Sequence, residues 1–358
     1  MARRRQQRAP GRKRLAALLG ALAAGFGTLA VLSIARAQDP GEVNIYSYRE
    51  PPLIAPLIKA FTEKTGIKVN LLSASSGLAE RMVAEGVNSP ADVLLTVDVG
   101  RLTDAKEKGV SQAVSSKVLD ANIPASFRDP EEHWFGLSMR ARLVLASKDR
   151  IKQDTITYED LADPKWKGKI CVRSGRHIYN IALIASMIAH HDEAKAEAWL
   201  RGLKANLAHK PAGGDRDQIK DVAAGICDLA ISNNYYLAAL ETGSPTQQSW
   251  AAAVKVLFPN ASGRGSHVNI SGAMLAKHAP NKANAIKFLE FLSSDDGQRI
   301  YAERVFEYPL KAGIPVADRV RNWGVLKADT LPMGTIAKLR KVAATMVDKV
   351  GFDQGPSN

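Results

Sequence analysis

The sequence predicts an α/β fold divided into two lobes, and three observations carry that prediction. About 320 residues follow an N-terminal export segment, more than one hydrophobic core usually organises. Strand and helix patterns alternate along the first hundred of them, the signature of strands joined by helical crossovers in a parallel sheet. Near Trp134-Phe135-Gly136-Leu137 the pattern changes to a long apolar strand, and a second set of alternating elements begins.

The export segment comes first. Residues 2–14 carry seven positive charges and no acid, residues 15–34 are apolar apart from Gly, Thr and Ser, and Ala35-Arg36-Ala37 closes the run. This order predicts a signal peptide over residues 1–37, cut before Gln38 and directing the chain to the periplasm. An uncleaved anchor is the alternative, because about 20 apolar residues just span a bilayer. The Arg3-Arg4-Arg5 run leaves the general and twin-arginine export routes both open. Residues 1–37 hold +8 of the formal +13, so the mature chain is only mildly basic. It has no basic stripe interleaved with aromatics, and nucleic acid is not expected as a partner.

In the first lobe, 43–48 alternates as a strand, and Pro51-Pro52 interrupts it. Leu53, Ile54, Leu57, Ile58 and Phe61 then recur at helical spacing up to Gly66. A strand over 67–72, a helix over 78–85 and a strand over 92–97 follow. The second lobe reads as a strand over 141–147, a turn at 163–168 and a strand over 169–173. Helices over 179–190 and to about 207, a strand over 226–232 and a helix from Tyr235 complete it. Residues 267–276 read as a strand returning to the first lobe. The lobes are therefore expected at 38–139 with a return segment of about 268–315, and at 140–267 with C-terminal helices of about 316–358. Two crossings make a hinge, and ligands of open α/β sheets sit beyond the strand ends.

Cys171 and Cys227 are the only cysteines. In an oxidising compartment a single pair predicts one disulfide, and without nearby His partners it makes no structural zinc site. Each cysteine lies on an expected strand and is followed eight residues later by a tyrosine, Tyr179 and Tyr235, with Tyr236 adjoining. Pairing the cysteines would bring three phenols together at the strand ends, although the same spacing suits ordinary core aromatics. Adjacent tyrosines diverge on a strand but can converge at a loop-to-helix junction. Clustered phenolates suit ferric iron, a hard cation that prefers anionic oxygen.

Other candidates carry less. His190 and His191 are neighbours on one helix, point about 100° apart and read as a solvated helix end. Asp92 and Asp98 flank a strand and read equally as cleft residues or caps. Gly263-Arg264-Gly265-Ser266 reads as a plain turn. No zinc-protease, P-loop or nucleophile-elbow motif occurs, so an enzyme is not expected.

Residues 43–51 (VNIYSYREP), 94–102 (LLTVDVGRL), 169–180 (KICVRSGRHIYN), 227–236 (CDLAISNNYY) and 258–272 (FPNASGRGSHVNISG) resemble the periplasmic ferric-iron-binding proteins of bacterial ABC transporters. The resemblance implies a two-lobed type II periplasmic-binding fold without catalysis. It implies Tyr179, Tyr235 and Tyr236 as ligands of an Fe³⁺ cargo. A monomer that delivers iron to a permease and its ATPase is likewise implied. Many members add a His, a Glu or a His-Tyr pair from the first lobe, where this chain reads Arg49-Glu50-Pro51 with no His or Tyr, which resembles the branch that completes iron with carbonate or a similar anion. Arg49 and then Arg140 are the implied anion residues, with Tyr46 and Tyr48 as secondary candidates. Another small anion, an organic cation, or an enzyme or sensor on the same fold are the alternatives.

Overall fold

The computed structural model describes residues 41–356, so the expected signal peptide and its cleavage site lie outside the described residues. The chain opens with strand β1 (Glu42–Ser47), followed by β2 (Lys68–Ser73) and β3 (Val93–Thr96). The expected crossover helix between β1 and β2 runs over Pro51–Thr65. Pro51 and Pro52 occupy the first turn, where a missing N–H costs nothing, while Pro56 lies inside the helix. Gly66 closes the helix in the left-handed region at φ 73°, a conformation glycine adopts without a Cβ penalty. β1 pairs in parallel with both β2 and β3, as helical crossovers require.

Short β4 (Ser111–Gln112) and the 13-residue β5 (Phe135–Ser147) come next. They are followed by β6 (Ile170–Cys171), β7 (Leu229–Asn233), β8 (Val254–Leu257), β9 (Val268–Ala276) and β10 (Tyr308–Pro309). The main order is β2-β1-β3-β9-β5-β7-β6, a mixed sheet because β9 runs antiparallel to both β3 and β5. β5 is the joint of this sheet. Its residues 135–141 pair with β9, and residues 142–146 pair with β7. Both β5 and β9 are buried along nearly their whole length, although β5 carries Ser138, Arg140 and Arg142 and β9 carries Asn269 and Ser271. The expected strand over 141–147 forms only the second half of β5.

One core packs Val43, Ile45, Ile54, Leu57 and Phe61 against Phe288, Leu289 and Tyr301. Phe61 meets the Phe288 ring edge-on at 5.0 Å. A larger core gathers β5, β7 and the helices Ile178–His191, Glu193–Ala205 and Met333–Val350.

The disulfide Cys171–Cys227 is present, with Cα atoms 5.9 Å apart and a sequence separation of 56. Closing such a loop stabilises by about 2–4 kcal/mol. Only Cys171 lies on a strand. Cys227 precedes β7, because the chain is still leaving the turn at Gly225, whose φ is +76°. The expected strand over 226–232 therefore starts at Leu229.

His190 and His191 are not a solvated end. Each is half-buried, with Nε2 at 2.7 Å from Asp329 and 2.5 Å from Glu159 respectively. Asp92 and Asp98 are caps: Asp92 accepts from the Asn44 and Asn281 N–H groups. Asp98 accepts from the Arg101 N–H at the start of helix Val99–Glu107.

Candidate functional site

Two helix starts converge on the three tyrosines. β7 ends at Asn233 and runs directly into helix Asn234–Glu241, so Tyr235 and Tyr236 occupy its first turn. There the two rings lie side by side, with centroids 4.2 Å apart and planes tilted by 36°. The side chain of buried Asn234 clamps the junction, accepting from the Ala141 N–H at 3.0 Å and donating to the Phe306 carbonyl at 2.7 Å. Tyr179 is the second residue of helix Ile178–His191, whose N-cap His177 accepts from the Tyr179 N–H. The hydroxyls of Tyr179 and Tyr235 are 3.0 Å apart. All three rings line one cavity of about 170 Å³, together with Tyr48, Arg49, Glu50, Arg101, Arg173, His177 and Glu307.

Cations surround the phenols. The guanidinium groups of Arg140, Arg142 and Arg173 stand 5.3, 5.9 and 5.3 Å from the Tyr179 ring centre. Arg216 lies 4.7 Å over Tyr236. Two buried carboxylates hold this frame. Asp215 accepts from Arg142 at 2.5 Å, from Arg173 at 3.2 Å and from the Asn233 N–H at 2.8 Å. Glu307 accepts from Arg49 at 2.5 Å, from Ser271 at 3.2 Å and from Ser138. Burial opposes ionisation of both acids, yet the paired arginines hold them below the usual carboxylate range.

Burial, and then the neighbouring phenols, push Tyr235 and Tyr236 well above the ordinary phenol range. Burial, reinforced by Arg173, lowers His177 to about 3. That imidazole is neutral at pH 7. Because its Nδ1 accepts from the Tyr179 N–H, its proton sits on Nε2, which makes it a donor rather than a ligand.

The residues expected to hold an anion differ in their freedom. Arg49 reaches the cavity, but its two terminal nitrogens are engaged by Ser271 at 2.7 Å and Glu307. Arg140 is not part of the cavity wall and donates to Ser271 and the Ile270 carbonyl. Arg101 lines the cavity, donates to the Ser75 carbonyl at 2.8 Å and stacks 4.3 Å over Tyr48, with no carboxylate partner among the described residues. Among the described residues the buried Nε–H groups of Arg49 and Arg173 have no acceptor, an arrangement that costs roughly 1–3 kcal/mol per orphan. Tyr48 faces the cavity, and its hydroxyl accepts from the Ala79 N–H. Tyr46 does not. Its hydroxyl donates to Glu85 at 2.8 Å.

Sequence reasoning passed over Arg101, Arg173, His177, Asn234, Asp215 and Glu307. Arg173, His177 and Asn234 sit inside the segments that carry the tyrosines, and Arg101 inside 94–102. Nothing in the local sequence marks Asp215 or Glu307, whose partners are 73 and 258 residues away.

A mixed α/β sheet that gathers phenols and arginines around one small cavity suits the binding of a small solute. The chain belongs to the bacterial extracellular solute-binding protein family, whose model matches residues 88–328, and it is periplasmic. It is 42% identical to iron uptake protein A1 of Synechocystis over 322 residues, 88% of this chain and 89% of the relative. The apo ferric ion-binding protein A of Pasteurella haemolytica superposes with a TM-score of 0.84 at 50% identity, covering 87% of this chain and 98% of that one. A Trichodesmium protein solved with iron and citrate superposes at 0.82 with 47% identity, covering 87% and 100%.

Proposed function

We propose that this protein is the ferric-iron receptor of a bacterial ABC importer. It captures Fe³⁺ between two lobes and presents it, as a monomer, to a permease and its ATPase. One lobe comprises residues 41–139 and about 268–315, the other residues 140–267 and about 316–356, with β5 and β9 as the crossings. The change of partner along β5, from β9 to β7, supports that division.

The observation that carries the reading is the pair of phenol oxygens 3.0 Å apart, with the third phenol on the same cavity. Octahedral bonds of about 2.0–2.1 Å put adjacent oxygens about 2.9 Å apart. Tyr179, Tyr235 and Tyr236 then bind iron as phenolates. Each proton lost is compensated by the metal, by the surrounding arginines and by the two helix N-termini. An anion completes the coordination. Carbonate fits the size of the cavity, and the iron and citrate of the Trichodesmium relative make citrate the other candidate. Arg49, Arg101 and Arg173 line the cavity that would receive it, with His177 Nε2–H as a further donor.

Phenolate bound to Fe³⁺ absorbs visible light. Titration of the apo protein with ferric citrate should therefore develop a charge-transfer band that saturates at one iron per chain. Tyr235→Phe/Tyr236→Phe should abolish the band while leaving the circular dichroism spectrum unchanged. An unchanged band in that variant overturns the assignment.

A further inference from the structure

Away from the phenols, the fold brings together a group that no linear motif displays. The sequence offers no histidine beside either cysteine, yet His209 Nε2 lies 3.5 Å from Cys171 Sγ and 3.3 Å from Asp221 Oδ2. The three ligating atoms lie within 4.8 Å of one another, and Cys227 Sγ adjoins through the disulfide. The His209 Nδ1 faces the Lys210 carbonyl at 2.7 Å. A neutral ring must donate there, which leaves the Nε2 lone pair aimed at a carboxylate oxygen and a sulfur. That orientation, fixed by a backbone acceptor on the far nitrogen, is how metal-binding imidazoles are held.

We propose that the dithiol form of this protein binds one Zn²⁺ through Cys171, Cys227, His209 and Asp221, and that the disulfide closes the site. Zinc bonds of about 2.3 Å to sulfur and about 2.0–2.2 Å to nitrogen and oxygen give tetrahedral edges of about 3.5 Å for S···N and about 3.4 Å for N···O. Both edges already exist in the fold. The two sulfurs must separate from a bond to a non-bonded edge, which cleavage of the disulfide permits. A dithiol reductant supplies two electrons and two protons, becoming a cyclic disulfide itself and leaving two thiols on the protein. Zinc then displaces those two protons and takes the thiolates. His209 and Asp221 are partly exposed, so the ion enters from that side while the sulfurs lie behind it, 1% and 2% exposed by residue. Zinc and oxidation thus compete for the same sulfurs, and a chain that has just been exported, still reduced, is the form that holds the metal.

The test uses the mature chain, with zinc binding read by competition against a chromogenic chelator. The protein is compared as the disulfide form and after reduction by a phosphine and anaerobic desalting. One Zn²⁺ per reduced chain and none on the disulfide form is the expected result. His209→Ala and Asp221→Asn should each weaken binding tenfold or more, and Co²⁺ should give the visible bands of tetrahedral thiolate coordination. Zinc affinity unchanged by both substitutions would mean that free thiols alone bind, which overturns the site. So would loss of zinc binding in Tyr235→Phe, which would locate the ion at the phenols. If reduction loosens the fold, zinc must restore the circular dichroism spectrum. Failure to restore it is equally fatal.

Discussion

In the proposed iron site, Tyr235 and Tyr236 are the residues whose chemistry changes most on loading. Burial keeps both phenols protonated at neutral pH, so each must lose its proton to become a ligand. At least two protons are then released per iron, and the apparent affinity falls by about a hundredfold for each pH unit of acidification. Iron titrations at pH 7 and pH 6 check that slope; a pH-independent affinity would contradict phenolate coordination. Arg101→Ala should weaken iron binding tenfold or more with carbonate or citrate present, and much less without either.

Two histidines govern the apo protein in acid. Burial holds His177 and His267 neutral, each lowered to about 3. A histidine in the unfolded chain takes up its proton near pH 6.5. Between those values the unfolded state binds more protons than the folded one, so stability present above about 6.5 is lost as pH falls toward 3. Urea midpoints of the apo protein should drop steadily through that window. His177→Gln, which still accepts from the Tyr179 N–H, should make the drop shallower.

Helix Met333–Val350 shows how one element ties distant parts of the chain together. It packs along helix Ile178–His191 and also reaches Val99–Glu107. Arg340 donates to the Gly100 carbonyl at 3.1 Å and pairs with Asp104 at 2.9 Å. A Cβ on Gly100 would stand 1.8 Å from Arg340 Cδ, so Gly100→Ala must expel that side chain and break both contacts. The expected loss is about 1–2 kcal/mol of stability. It should shrink to a few tenths when Gly100→Ala is made in an Arg340→Ala background, and a thermal double-mutant cycle measures this.

That helix also marks what the sequence displays and what it hides. The crossover helix before β2, the Leu78–Glu85 helix, the second half of β5 and most of β9 were legible because a local period or a mainly apolar run encodes them. The tyrosine cluster was legible because Tyr235-Tyr236 follows a strand directly. Arg340 on Gly100, Glu307 on Arg49 and Asp215 between two arginines were not. Each joins residues dozens to hundreds of positions apart, and only the folded chain defines the pairing.

At the scale of the whole molecule, charge decides which solute suits the cavity. Among the described residues, Arg49, Arg140, Arg142 and Arg173 face two buried carboxylates, Glu307 and Asp215, and Arg101 on the cavity wall has none. In the proposed site three phenolates would cancel the charge of Fe³⁺, so a surplus of positive charge would survive metal loading. An anion would reduce that surplus, which supports an anion as part of the proposed cargo rather than as a bystander. Glu307, Ser138 and Ser271 place part of this network on β5 and β9, the strands proposed to join the lobes. Neutralising the cavity therefore removes repulsion where the lobes would hinge. Small-angle scattering of the apo protein, and of the protein loaded with ferric iron and bicarbonate, should show a smaller radius of gyration in the loaded state. Tyr235→Phe/Tyr236→Phe under the same conditions should keep the apo radius. A radius that is the same in all samples would sink the closure, while the visible band of the wild-type protein would still report independently on the iron site.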